Sequence, residues 1–205
     1  MMIKRTTAII AIAACCGIQC AYADGSEDDA GRFAGGYVGL NTIANLAKGT
    51  GNVATDGKLN FGTGSEAGYL WNAYGQIVGI AAFGNESLAV THHAKAAGRS
   101  VKFGVDSFGA DLVFGHPIGD WLIYLKAGVA HVAGDDNLKD VKGTSFHGGF
   151  GVSYQVTPHW MIGGEFADVR VHGRGAGVEN ESLLFRVAYR FGKSPPGTSP
   201  LPRLQ

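Results

Sequence analysis

The segment Ser182 to Phe191 (SLLFRVAYRF) constrains the fold more than any other part of the chain. Leu183, Phe185, Val187, Tyr189 and Phe191 alternate without interruption with Ser182, Leu184, Arg186, Ala188 and Arg190. A period of two puts the first set on one face of a strand and the second set on the other. One face is wholly apolar and the other carries two arginines. About ten residues is also the length of a tilted strand that crosses a bilayer. The segment therefore reads as a strand with hydrocarbon on one side and a polar interior on the other.

The opposite end reads as an export signal over residues 1–23. Lys4 and Arg5 form its positive start, Ala8 to Ala14 its apolar stretch, and Ala21-Tyr22-Ala23 a small-residue cleavage site. A rival cut lies before Cys15, because Ile12-Ala13-Ala14-Cys15 has the form of a lipoprotein cleavage box. Ala21-Tyr22-Ala23 stands at the more usual distance from the start. Cys15, Cys16 and Cys20 are the three cysteines of the chain, and all lie in this leader. Cleavage after Ala23 leaves no thiol to form a disulfide framework.

The mature chain then divides into a short N-terminal segment (24–34), a barrel domain (35–191) and a proline-rich, disordered tail (192–205) with Pro195, Pro196, Pro200 and Pro202. With Lys4 and Arg5 removed from 17 basic residues, the balance against 17 acidic ones stays near neutral. This argues against nucleic acid as the main partner. Past the leader no predominantly apolar run reaches about 18 residues, which argues against an inner-membrane helical protein.

Eight candidate strands follow, at 35–43, 64–72, 76–86, 101–115, 121–132, 144–156, 160–171 and 181–191. Tight turns are expected at Asn72 to Gly75, His116 to Asp120 and Thr157 to His159. Longer polar loops are expected at Ala44 to Thr63, Ser87 to Ser100, Ala133 to Gly143 and His172 to Asn180. Short turns at one end and long loops at the other are the asymmetry of an outer-membrane barrel, and an even strand count closes the sheet without an edge. The expected fold is all-β: an eight-stranded antiparallel up-and-down transmembrane β-barrel.

Alternation alone does not say which face is inside, since a soluble ligand-binding barrel would turn the same ribbon over. The composition of the polar face decides. His147, Gly149, Gly151, Ser153 and Gln155 oppose Phe146, Phe150, Val152 and Tyr154; Lys126 and Gly128 oppose Leu125 and Ala127; Gly163 and Glu165 oppose Ile162 and Phe166. A wetted face would carry many Lys, Glu and Thr residues. Glycine, serine and isolated charges instead suit a narrow eight-stranded interior.

Asp111, Lys126, Glu165 and Arg186 fall at mid-strand depth on that inner face and should form a lumen network. The expected pairs are Asp111 with Lys126 and Glu165 with Arg186, since charges taken out of water cost several kcal/mol each unless paired. Trp121, Tyr154, Trp160 and Tyr189 fall at one level near the short-turn end, as an interfacial aromatic girdle does.

Several motifs carry a resemblance. Asp106-Ser107-Phe108-Gly109, Leu125 to Ala130, Gly149 to Tyr154, Gly164-Glu165-Phe166 and Val187 to Phe191, with Gly35 to Leu40 as an opening strand, resemble the small outer-membrane barrels of the OmpA transmembrane-domain, OmpX and opacity-protein type. The resemblance implies a cell outer membrane location in a Gram-negative bacterium. Its implied partners are outer-membrane lipid and lipopolysaccharide, the barrel-insertion machinery, and host or phage surfaces. It also implies that Val187, Tyr189 and Phe191 form the C-terminal strand signal read during assembly. The chain departs from that pattern in the 14 residues after Phe191 and in the apolar Ala81 and Phe83 on the inner face of the third strand.

Enzymatic chemistry finds little support. Some barrels of this size act on lipid A through a His-x-Ser element, but none of the seven histidines has serine two positions later, and His172-Gly173-Arg174 has arginine there. His92-His93 is too small a set for a metal site. Asp135, Asp136, Asn137 and Asp140 lack calcium-loop spacing. No catalytic residue, metal or cofactor is expected. The expected role is a structural, surface-exposed barrel that supports envelope integrity and presents loops. A lipid A-modifying enzyme and a soluble periplasmic small-ligand barrel are the alternatives.

Overall fold

The computed structural model describes residues 29–51, 54–93, 100–134, 141–172 and 176–191. The expected leader and tail, and the acidic loop from Asp135 to Asp140, lie outside the described residues. The described residues form ten strands: β1 (Gly35–Gly51), β2 (Lys58–Ala73), β3 (Gln76–Ser87), β4 (Val90–His93), β5 (Ser100–Phe103), β6 (Val105–Ile118), β7 (Trp121–Gly134), β8 (Lys142–Gln155), β9 (Trp160–His172) and β10 (Ala176–Phe191). Eight of them close a barrel in the order β1-β10-β9-β8-β7-β6-β3-β2, and β4 pairs with β5 in a separate hairpin. Every pairing is antiparallel, and β1 closes on β10 from Gly36↔Phe191 to Gly51↔Ala176.

The two faces separate as the alternation requires. Leu125, Phe150 and Phe185 are 62%, 59% and 55% exposed, while Lys126, Glu165 and Arg186 are 4%, 3% and 6% exposed. The apolar side is outside and the charged side is inside. This is the reverse of a soluble barrel, so the soluble periplasmic alternative falls.

The barrel wall is taller than expected. A bilayer crossing needs about 9–11 tilted residues, yet β1 runs for 17 and β10 for 16. Much of the expected loops Ala44 to Thr63 and His172 to Asn180 is therefore ladder. Past the apolar Leu46, Leu59 and Phe61, the outward positions at the far ends of these extensions are polar, among them Lys48, Glu179 and Arg170, with Lys48 Nζ 2.6 Å from Glu179 Oε2. Polar residues outside and a continued ladder describe a strand standing in water, which composition does not distinguish from a loop.

The expected strand 101–115 is corrected: it breaks at Gly104 into β5 and β6. There the β3–β6 ladder has ended at Asn85↔Ser107. Ser87 Oγ donates to the Val105 carbonyl (2.9 Å) and accepts from the Val105 amide (2.8 Å), closing the gap, and the chain beyond folds on itself as β4–β5. A Cβ at position 104 would lie 2.6 Å from the Ser87 carbonyl oxygen, so this junction needs glycine.

At the short-turn end, Pro117 sits inside β6 opposite Leu122 rather than in the turn. Pairing of β6 with β3 ends at Gly115↔Ile77, so the missing amide of Pro117 costs no ladder bond. The turn is Gly119-Asp120, with φ +60° at Gly119. The β2–β3 turn is Tyr74-Gly75, with φ +55° and +77°, and Asn72 Oδ1 accepts from the Gly75 amide at 3.0 Å. Two positive φ values match the right-handed strand twist, but a tyrosine is strained there. Tyr74→Asn is expected to raise the unfolding free energy by roughly 1 kcal/mol, read as a higher urea midpoint in detergent. An unchanged or lower midpoint would show that the fully exposed ring makes an unrecognised contact.

Below this end a single 3-10 turn, Asp29–Arg32, tucks under the barrel. Ala30 and Phe33 are fully buried against Tyr37, Leu70, Ile77 and Leu122. Asp29 Oδ2 accepts from the Gly119 amide at 2.9 Å, and Arg32 Nη1 meets Asp120 Oδ1 at 2.5 Å. Arg190 donates to the carbonyls of Pro158 (3.1 and 2.7 Å) and Ala34 (2.7 Å), tying β10 to the chain on both sides of it.

The charged lumen layer and the β4–β5 hairpin as candidate functional sites

Four charges meet in mid-barrel. Lys126 Nζ lies 2.5 Å from Glu66 Oε2 and 2.8 Å from Glu165 Oε2; Arg186 Nη2 lies 2.7 Å from each of the same two oxygens. Each cation thus serves both carboxylates and the cluster is neutral. Tyr37 donates to Glu66 Oε1 at 2.5 Å, Tyr124 donates to Glu165 Oε2 at 3.0 Å, and Arg186 Nε donates to Asn41 Oδ1 at 3.1 Å. An apolar cluster around Phe33, Tyr37, Leu70 and Leu122 lies on the short-turn side. A second, with Phe83, Phe103, Val105 and Val169, lies on the other. Several kcal/mol of desolvation per ion is tolerable only with such complete pairing.

The structure brings Glu165 to Arg186. It does not bring Asp111 to Lys126: that expected pair is corrected. Asp111 Oδ1 lies 2.8 Å from His147 Nδ1 instead. Register explains the change. Asp111, Gly128 and His147 stand in one row across β6, β7 and β8. Gly128 carries no side chain, so the two neighbours meet over its bare backbone, and a Cβ there would lie 2.5 Å from Asp111 Oδ1. Tyr124, Gly151 and Glu165 form the same arrangement across β7, β8 and β9, with the added Cβ 2.5 Å from the Tyr124 ring. Glycine beside each long polar side chain is how a narrow lumen admits them.

Sequence reading missed Glu66, the fourth charge. The signal was present: Gly62, Gly64, Glu66, Gly68 and Leu70 share one face, and an acid flanked by glycines on that face is the lumen pattern. The departure at Ala81 and Phe83 also resolves here. Both face inward, and the Phe83 ring packs on the His147 ring at 4.5 Å.

On the outer face Trp121 stands opposite Tyr154 with rings 4.7 Å apart, and Trp160 opposite Tyr189 at 5.2 Å. Tyr189 and Phe191 rings are also 5.2 Å apart, and Val187 pairs with Leu40 and Ile162.

A closed eight-strand barrel with an apolar exterior and a neutralised charged interior fits one family model, described as "Outer membrane protein beta-barrel domain", over residues 8–191. The chain belongs to that family. Solved barrels of similar fold include Ail, the attachment invasion locus protein of Yersinia pestis. It is 15% identical with a TM-score of 0.50, over 77% of this chain and 99% of Ail. OprG, an outer membrane protein of Pseudomonas aeruginosa, is 13% identical with a TM-score of 0.52, over 78% and 97%. Comparison with curated proteins returns no match. At such identities the likeness shows the fold. The family and the exterior place this outer-membrane barrel in the Gram-negative outer membrane.

The end of the barrel away from the short turns carries the β4–β5 hairpin. Lys58 Nζ donates to the Thr91 carbonyl at 2.8 Å, and the Asp56 amide donates to the His93 carbonyl at 3.2 Å. His92 is fully buried, its ring stacked on Phe103 at 3.9 Å and 14°. Its Nδ1 lies 3.4 Å from the Asp56 carbonyl oxygen, and its Nε2 has no partner among the described residues. Burial lowers its pKa from the ordinary 6.5; the Asp56 carbonyl opposes this and the Lys58 charge adds to it.

A depressed folded-state value means that the closed hairpin holds the neutral ring. Its stability is whole above the ordinary imidazole range and is lost as pH falls below that range toward the folded-state value. Trypsin cleavage at Lys102 is expected to accelerate between pH 7.5 and pH 5 once corrected for enzyme activity, and His92→Phe should remove the dependence. A cleavage rate independent of pH in the native protein would contradict this.

Proposed function

We propose that this protein is a structural and surface-exposed barrel, which contributes to envelope integrity and offers its outer rim and the β4–β5 hairpin for contact with neighbouring lipopolysaccharide, host or phage surfaces. The observation that carries the proposal is the contrast between the two ends and the middle. The middle is filled by two apolar clusters with a neutral four-charge layer between them, an arrangement suited to holding a wall rather than passing a solute. The outer end is extended well past the bilayer and carries a separately folded hairpin. Ail, of like fold, is named for attachment and invasion; that name belongs to Ail and only suggests where to look.

The test compares cells with the gene intact, deleted, or expressing a barrel whose residues 88–104 are replaced by a short glycine-serine turn. The proposal expects detergent and bile sensitivity to rise on deletion and to be rescued by both barrels. Surface binding should be rescued by the intact one alone. Deletion without effect on either property would end it. An altered lipid A mass profile on deletion would instead favour an outer-leaflet enzyme.

Trp121, Tyr154, Trp160 and Tyr189 would serve as the periplasmic girdle, and Val187, Tyr189 and Phe191 as the assembly signal. Tyr189→Ser with Phe191→Ser is expected to cut the folded fraction in outer membranes several-fold, read as loss of the heat-modifiable gel band. Normal insertion would remove these residues from that role.

A further inference from the structure

One wall of the lumen carries buried side-chain amide atoms that no group among the described residues satisfies. Asn41, Gly64 and Asn85 stand in one row across β1, β2 and β3; Ser182, Asn45 and Asn60 stand in another across β10, β1 and β2. Between the rows lie Ile43, Gly62 and Ser87. Asn41 and Asn60 are 4% and 1% exposed. Among the described residues, Asn41 Nδ2, both side-chain polar atoms of Asn60, Asn85 Oδ1 and Asn180 Oδ1 have no hydrogen-bond partner.

Neighbouring groups on the same wall are well paired: Ser182 Oγ donates to Asn45 Oδ1 at 2.6 Å, and Asn180 Nδ2 donates to Ser182 Oγ at 3.0 Å. The apolar cluster that shares this part of the lumen, with Phe103, Val105, Ala130 and Val132, has no polar side chain to offer them. A buried amide group left unmade costs about 1–3 kcal/mol, so orphans gathered on one wall call for an occupant.

We propose that this wall, over the bare backbone of Gly62, is a binding site for small uncharged molecules that both donate and accept hydrogen bonds. The orphaned atoms include donors and acceptors, so the ligand must offer both. An ion is disfavoured because Arg186, which donates to Asn41 Oδ1, is already committed to Glu66 and Glu165. Water and small amides share the required chemistry.

The test uses the full chain refolded in detergent micelles with 15N-labelled asparagine side chains. Long-lived water cross-peaks at the Asn41 and Asn60 amide protons, unmoved by acetamide, would make water the occupant. Saturable shifts with acetamide at those same protons would make a small amide the ligand. Absence of both overturns the proposal. Asn60→Leu gives an independent reading. If the site is occupied, the variant gains no thermal stability and loses the Asn41 signals. A rise in its thermal midpoint, as expected from simply relieving two unpaired atoms, overturns the proposal as well.

Discussion

Arg186→Met is expected to lower the unfolding free energy of the barrel by about 3–5 kcal/mol, the scale for removing one partner of a buried charge pair. The urea midpoint in micelles and the temperature of the gel-mobility shift should both fall. The substitution leaves Lys126 alone with Glu66 and Glu165, all nearly inaccessible, and one negative charge becomes uncompensated in the lumen. Glu66→Gln in the same chain restores neutrality and should recover a large part of the loss, although Glu66→Gln alone strands a positive charge and is itself destabilising. That non-additivity is the signature of one shared cluster. Two independent pairs would give additive losses and would contradict the four-charge reading.

Phe150→Arg tests the other face. Phe150 is outward, stands between Leu125 and Phe166 in register, and has its ring 5.6 Å from that of Phe166. Arginine on the lipid side of a barrel near the midplane costs about 2–4 kcal/mol, falling toward zero at the interfaces. Thr144→Arg, six residues nearer the outer end of the same strand and also outward-facing, should cost little. Equal small effects at both positions would mean that Phe150 faces water.

The faces and the barrel class were legible in the sequence because period two is a local property: Leu183 to Phe191 shows it with no knowledge of neighbours. Pairing across the lumen was not legible in the same way. Asp111 and Lys126 lie on adjacent strands, but whether they meet depends on what stands beside them, and Gly128 lets Asp111 reach His147 instead. Glu66 was missed because β2 was read for its extent and not for its faces.

Strand ends beyond the bilayer were lost for a different reason. Lys48 and Thr50 look like loop residues because the wall there meets water on its outer side. Phe33 carries no periodic signal, being a single ring from a short turn under the barrel. The β4–β5 hairpin was hidden by its short strands and by Gly104, which made β5 and β6 read as one.

The central claim is that lipid meets the aromatic-rich face. Single spin labels placed along β10 in reconstituted bilayers measure this directly, through collision with oxygen, which concentrates in hydrocarbon, and with a nickel chelate, which stays in water. Labels at Leu183, Phe185 and Val187 should show high oxygen and low nickel accessibility, and those at Leu184 and Ala188 low accessibility to both. High nickel accessibility at Phe185 and Val187 would place water against that face and contradict the account.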